Sequence, residues 1–213
     1  METNLVTVLL GPPASGKSTV FKKLKMLYPA IGHFAVRLFF ENERQKNSLW
    51  STRAVPDERG WLPDKVVAEA AEVHIQKYIK RKEPMIIEGF PASKEQAQLL
   101  NKIMYRNQIT LSRVIYLSLD SDTSKKRAMK RQVCKVCDSG VNHVESNGLD
   151  YCPVCLTPLT RREDDEGHRF IQRLDIHHHN IQDVLSTLNI PVVEISGSQS
   201  EDAVFEQVLK NLG

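Results

Sequence analysis

Gly11-Pro12-Pro13-Ala14-Ser15-Gly16-Lys17-Ser18-Thr19 is the stretch on which the fold turns. It satisfies the pattern G-x-x-x-x-G-K-[ST] at every fixed position. Before it runs Asn4-Leu5-Val6-Thr7-Val8-Leu9-Leu10, apolar, β-branched and short enough for a buried strand. After it, Val20 to Lys25 suits a helix that opens near Lys17. Strand, glycine-rich loop and helix N-terminus together build an anion site. Successive backbone N–H groups turn inward, and the helix end adds partial positive charge. Glycine is needed where a Cβ would block the tight turn or the approach of a phosphate. Lys17 is then placed to reach the outer phosphates, and the Ser18 hydroxyl to serve Mg²⁺.

A chain of 213 residues can bury a sizeable core as one domain with inserts. No apolar run approaches the ~18 residues of a membrane span, and the first residues carry no basic-then-apolar leader. A cytoplasmic location and no membrane partner are the expectations. The net charge of +3 suits small anions but is too small to favour nucleic acid. In a reducing compartment the four cysteines favour metal ligation over disulfides.

Outward from the loop, Ala30 to Leu38 holds the second strand, and Asn42 to Ser48 reads as an exposed helix within a polar excursion. Asp64 is placed to cap the next helix, whose apolar stripe runs from Val66 to Ile79. Pro84 to Ile87 is a short strand ending at Glu88-Gly89-Phe90-Pro91. An acid there lies at the carboxyl edge of the sheet, where open α/β sheets bind ligands. A helix from Ser93 to Arg106, a strand from Arg113 to Asp120 and a basic helix from Asp122 to Gln132 follow. Arg127 and Arg131 share one face of that last helix. His168 to Leu188 is a helix carrying His177-His178-His179, which point in different directions and belong to surface or helix packing. Pro191 to Ile195 and Glu201 to Leu212 complete an alternating pattern of strands and helices. That pattern means a parallel sheet covered by helices on both faces.

Cys134-Lys135-Val136-Cys137 and Cys152-Pro153-Val154-Cys155 form two C-x-x-C knuckles at ribbon spacing. Four thiolates suit a tetrahedral Zn²⁺ with no open position, hence structural rather than catalytic. A redox pair is the alternative.

Taken together, the chain resembles adenylate kinases of the zinc-bearing type. The resemblance rests on Gly11 to Thr19, Glu88-Gly89-Phe90-Pro91 with Gln96, Arg127-x-x-x-Arg131 leading into Cys134, the paired knuckles, Arg162-x-Asp164-Asp165 and Arg173-Leu174. It implies a P-loop fold with a five-stranded parallel core at 1–33, 64–127 and 167–213. An acceptor-binding insert would occupy 34–63, and a lid clipped by Zn²⁺ on Cys134, Cys137, Cys152 and Cys155 would occupy 128–166. By the same resemblance, Gly11, Ala14, Ser15, Gly16, Lys17, Ser18 and Thr19 bind ATP and Mg²⁺ with Glu88, which stands where the family usually has Asp. Arg127 packs on the donor base, and Gly197, Ser198 and Gln199 touch the adenine. Lys17, Arg131, Arg162 and Arg173 surround the transferring phosphoryl group. Gly89 and Gln96 fall on the acceptor side, where Arg37 or Arg53 is the candidate cation, and a monomer is the default that the resemblance implies.

The departures from the family pattern also lie on the acceptor side. The arginine that usually follows Gly-Phe-Pro is Ala92 here, and Phe34 to Phe40 lacks the usual Ser-Thr-Gly-Asp-x-x-Arg. The expected activity is transfer of the ATP γ-phosphoryl group to a nucleoside monophosphate, AMP by default, or to another phosphate or phosphonate. Phe34, Phe39 and Phe40, with Trp50 or Trp61, either line such a pocket or belong to the core. A catalytically silent nucleotide-binding regulator is the competing reading.

Overall fold

In the computed structural model, which describes residues 6–134, 140–142, 150–152, 155–161, 165 and 167–212, five parallel strands form the central sheet. They are β1 (Val6–Leu10), β2 (Gly32–Ala35), β3 (Met85–Glu88), β4 (Leu111–Ser118) and, after the small β5 (Arg131–Val133) and β6 (Gly140–Asn142), β7 (Val192–Ser196). Their order is β2-β3-β1-β4-β7, so the strand that feeds the glycine-rich loop lies at the centre. Chain connections leave β1 towards β3 and β2, and leave β4 towards β7. The carboxyl ends of β1 and β4 therefore flank the point where the winding reverses, which is where such sheets bind ligands.

Period-two alternation on the strands divides the interior into two cores. Val6, Val8 and Leu10 of β1, Met85 and Ile87 of β3, and Val114 of β4 face one side. There they meet α4 (Asp64–Lys80), α5 (Lys94–Arg106) and α7 (Gly167–Leu188). Leu9, Ile86, Ile115 and Leu117 face the other side, against α1 (Lys17–Leu27) and α8 (Glu201–Lys210). Capping is explicit at three helices. Ser93 accepts from Gln96 N, Asp120 from Thr123 N at the start of α6 (Ser121–Lys130), and Ser200 from Ala203 N.

Four expectations need correction. Helix α6 stops at Lys130 and Arg131 begins β5 in extended conformation, so Arg127 and Arg131 do not share a helix face. The second strand ends at Ala35, because α2 (Val36–Gln45) starts at the next residue, and Arg37 is therefore helical. The exposed helix expected over 42–48 does not form as such: α2 stops at Gln45, and a separate short helix, α3, covers Leu49–Arg53. Asp64 does not cap α4: its carboxylate accepts instead from Trp61 Nε1 at 2.9 Å and Gln96 Nε2 at 2.7 Å. The aromatic residues after β2 are packing residues. Phe34 and Phe40 are 1% exposed, and Phe39 sits between them and Trp50 with ring centroids 4.8 to 5.8 Å apart.

The segment between α6 and α7 has its own geometry. Strand β5 pairs antiparallel with β6, and Val133 bridges to Thr160. Among the described residues its buried cluster consists of Cys134, Cys152 and Leu159, with Cys155 packed against them. That is too little apolar surface to hold a subdomain together. No helix among the described residues is long and apolar enough to cross a membrane.

Leu100 lies fully buried on α5, between the sheet and α7. Leu100→Ala is expected to lower unfolding free energy by about 2–5 kcal/mol, read from the midpoint of urea denaturation at unchanged slope.

Candidate nucleotide-binding site

Three backbone conformations make the glycine-rich loop. Gly11 has φ 151°, Ala14 is left-handed at φ 61°, and Gly16 has φ 98°. At Gly11 the reason for glycine is steric as well: an added Cβ would lie 2.5 Å from the Leu117 carbonyl oxygen and 2.7 Å from Ser15 Oγ. Gly16 occupies the N-cap of α1 and has no side chain to cap with, so the first-turn N–H groups are left facing the loop. Lys17 Nζ donates to the carbonyls of Gly11 and Pro12 at 2.8 Å and to Ser15 Oγ at 3.2 Å. The ammonium thus lies over the concave side of the loop, where phosphate charge would be met.

Other elements clamp this loop from outside. Ser124 Oγ, fully buried on α6, donates to Pro13 O at 2.6 Å. Ala14 packs on Ala128, Phe170 and Leu174 of α6 and α7. Gly197, after β7, donates its N–H to Ser118 O at 2.7 Å, and a Cβ there would come within 3.0 Å of Ser15 O. The turn Gly197-Ser198-Gln199 is thereby set against the loop. Ser198 Oγ lies 2.7 Å from Ser196 Oγ, and Gln199 Nε2 donates to Ser196 O. Beside that turn a groove of about 460 Å³ is lined by polar side chains including Ser118, Asp120, Gln182 and Ser198.

Glu88 closes the other side, as the last residue of β3 rather than one just beyond it. Its Oε1 accepts from Ser18 Oγ at 2.8 Å and its Oε2 lies 3.2 Å from His33 Nε2. The His33 ring stacks on Phe21 at 3.5 Å between centroids, which fixes its plane. Burial alone would raise the Glu88 pKa. The His33 contact, Lys17 and the Ser18 hydrogen bond outweigh it and hold the carboxyl below its ordinary value. A carboxylate and a hydroxyl at this spacing are hard oxygen donors suited to Mg²⁺ or its bound waters. Ser18 and Glu88 would hold such an ion, whose charge would be available to neutralise phosphate. His33 was not among the residues singled out from sequence. Its alternation with Phe34 on β2 places it opposite the core, but its partnership with Glu88 spans 55 residues.

The basic residues divide. Arg127 lies half-buried on α6. Arg131 Nε and Nη2 grip the Asp165 carboxylate at 2.8 and 2.5 Å, and Asp165 is 3% exposed, so the guanidinium is held at the base of the cysteine-bearing segment. Arg173 lies on the first turns of α7. Arg162 and Cys137 lie outside the described residues. On the acceptor side, Arg37 pairs with Glu41 at 2.6 Å, and Arg53 with Glu69 at 2.5 Å while lying 5.4 Å from the centre of the Trp50 ring. Gln96 uses its carboxamide at both ends, accepting from Ala92 N at 2.8 Å and donating to Asp64. Gly89, at φ 76°, turns the chain towards Ala92.

Ligand atoms of Cys134, Cys152 and Cys155 lie within 4.8 Å of one another, with Cys134 and Cys155 sulfurs 3.3 Å apart. The contact with Thr157 favours the Cys155 thiolate, but the neighbouring sulfurs and burial outweigh it and push Cys155 up to about 11. A soft divalent cation removes that conflict by taking the thiolates as ligands, so the donor set fits Zn²⁺.

Of the two settings expected for the histidine run, surface or helix packing, His177 takes the second. His177 stacks against Tyr116 with centroids 6.1 Å apart, and its Nε2 is buried with no hydrogen-bond partner. It lines a cavity of about 60 Å³ with Gly11, Lys17, Gly89 and Ala92. Burial, then Lys17 and His178, push its pKa down from 6.5 to about 3. The unfolded chain therefore binds more protons than the fold between those values. The stability present above pH 6.5 is lost as pH falls towards 3.

Two outcomes follow from these geometries. Between about pH 7.5 and 5 the protein should lose on the order of 2 kcal/mol through His177, and His177→Phe should flatten that slope in paired urea melts. Cys152→Ser should lower the zinc content measured by elemental analysis and the melting temperature, while far-ultraviolet circular dichroism keeps the signal of the core sheet and helices. Full zinc retention would contradict the metal assignment.

The comparisons with known proteins agree with this geometry. The family model described as "Adenylate kinase" matches residues 9–190. The chain is 27% identical to the adenylate kinase of Thermoanaerobacter sp. (strain X514), with 97% of each chain covered. It is 29% identical to that of Chlamydia caviae, with 98% of each covered, and 29% identical to that of Chlamydia pneumoniae, over 99% of this chain and 98% of the relative. A family match over this length, on a sheet whose central strand ends in the phosphate loop, places the chain in the adenylate kinase family.

Proposed function

We propose that this ATP-dependent phosphotransferase passes the γ-phosphoryl group of ATP to a small phosphate- or phosphonate-bearing acceptor for which AMP is a poor substitute. The donor side supports the first half of that reading. The loop, Lys17, Ser18 and Glu88 form a phosphate and Mg²⁺ site, Arg127 stands by for the donor base, and the Gly197 turn lies beside it. Arg131, Arg162 and Arg173 would gather around the moving group, as phosphoryl transfer asks mainly for alignment and charge neutralisation. Planar, permanently charged guanidinium groups suit that task. Arg131 and Arg162 belong by sequence to the cysteine-bearing segment, 128–166, whose closure would keep water from the reacting phosphate.

The acceptor side carries the second half. Ala92 offers no cation where the family pattern has arginine, and the nearest substitutes by sequence are already engaged, Arg37 with Glu41 and Arg53 with Glu69. Two missing charge-assisted phosphate contacts amount to ~3–6 kcal/mol of gross interaction, at ~1.5–3 each. Gln96 acts here through the turn that it orders rather than as a new cation.

A coupled assay of ADP formation across nucleoside monophosphates, sugar phosphates and simple phosphonates tests this. Some acceptor should exceed AMP in kcat/KM by about 100-fold or more, and Lys17→Met should abolish turnover with it. Efficient turnover with AMP alone would remove the altered acceptor. ADP formation with none of them, despite ATP binding, would favour the silent regulator.

A further inference from the structure

We propose that His177 is an acceptor-specificity residue whose Nε2 hydrogen-bonds the phosphoryl group of the acceptor at the point where the donor and acceptor loops meet. The inference rests on the phosphotransferase reading above and adds the residue that meets the acceptor.

Four observations converge on it. First, Nε2 is buried and lacks a partner, although buried ring nitrogens are ordinarily satisfied. Second, the cavity that it lines has walls from both loops, Gly11 and Lys17 on one side, Gly89 and Ala92 on the other. Its volume of about 60 Å³ suits a phosphoryl oxygen or a water rather than a nucleoside. Third, the acceptor turn is docked on the helix that carries His177. Asn180 Nδ2, three residues along α7, donates to Ala92 O at 3.0 Å, while Gln96 holds Ala92 N from the opposite side. Fourth, stacking on Tyr116 fixes the imidazole plane, with an interplanar angle of 19°. Arg173 lies one turn earlier at i−4, so α7 presents a guanidinium and an imidazole along one face.

The chemistry is that of a neutral donor. The ring resists protonation because it is buried beside the Lys17 ammonium, so it brings an N–H without a second charge. Arginine after the Gly-Phe-Pro turn would grip a phosphate dianion with two N–H groups. Ala92 and a neutral His177 replace that grip with one directional hydrogen bond. Such a site selects by shape and hydrogen-bond geometry more than by charge, and it fits a small phosphate monoester or phosphonate.

The test uses the full-length zinc-loaded protein with a non-hydrolysable ATP analogue and Mg²⁺. Imidazole ¹⁵N resonances are followed while AMP and, separately, methylphosphonate are added. The His177 Nε2 resonance should move with at least one of these probes and not with the ATP analogue alone. His177→Phe, which keeps the ring stack, should weaken the responding probe by about tenfold to a hundredfold while leaving affinity for the ATP analogue within about twofold. His177→Gln, which restores an N–H, should recover part of the loss. A resonance that ignores both probes, or that moves with the ATP analogue alone, overturns the proposal. So does unchanged probe affinity in His177→Phe. Should AMP prove to be the efficient acceptor in the coupled assay, the altered-acceptor reading falls, and the Nε2 resonance still decides His177 separately.

Discussion

The phosphate loop has its shape because its backbone is pressed against the carbonyl edge of the neighbouring strand, with hydrogen as the only side chain that fits. At Gly11 a methyl group would meet the Leu117 carbonyl oxygen at 2.5 Å, and at Gly197 it would meet the Ser15 and Ser118 carbonyls at 3.0 and 3.1 Å. These contacts bring the loop after β1, the end of β4 and the turn after β7 within van der Waals reach of one another. Three separate crossings of the sheet thus converge at the carboxyl edge. The first turn of α1 points at the same place, so the loop's N–H groups, the helix end and Lys17 act on one volume.

Around that volume the charges are arranged unevenly. On the donor side a buried carboxylate is held between Ser18 and His33, and its ionisation is maintained by neighbours that outweigh its burial. After β2, Arg37 and Arg53 are engaged in local ion pairs, and Phe39 packs with Phe34, Phe40 and Trp50. The contrast follows from cost. A buried carboxylate without partners is expensive, so Glu88 requires its surroundings, whereas exposed pairs such as Arg53 with Glu69 contribute little to stability.

The cysteine-bearing segment follows another rule. Its described core is three sulfurs and one leucine, and a hairpin of that size gains too little from apolar burial to hold its shape. The sulfurs of Cys134, Cys152 and Cys155 lie close enough to hold a metal in place of a hydrophobic core there. Arg131 follows α6 into this segment and is fastened by Asp165, so its guanidinium is held where the helix meets the cysteine-bearing segment.

Much of this was legible in the order of residues. Local rules suffice for the strand, loop and helix at Gly11 to Thr19, because the glycine positions, the lysine and the flanking hydrophobic run all act within a few residues. The two knuckles are local for the same reason, as is the Ser93 cap. The alternating strands and helices were enough for a parallel sheet with the phosphate loop on a central strand. The boundary at Val36 was missed because helix and strand compete over a short apolar run, and packing of Phe40 beneath α2 decides it. Asp64 looked like a cap because it precedes a helix, yet the reach of Trp61 and Gln96 took its carboxylate elsewhere. The partners of His33 and the cavity beside His177 were not legible in the sequence. The first depend on a strand register that brings His33 to Glu88, the second on the docking of α7 over the Gly89–Ala92 turn. What the sequence determined alone was chemistry carried by neighbours along the chain. What the tertiary structure decided was which ionisable groups are buried beside which others, because burial and long-range pairing exist only once the sheet has brought distant segments together.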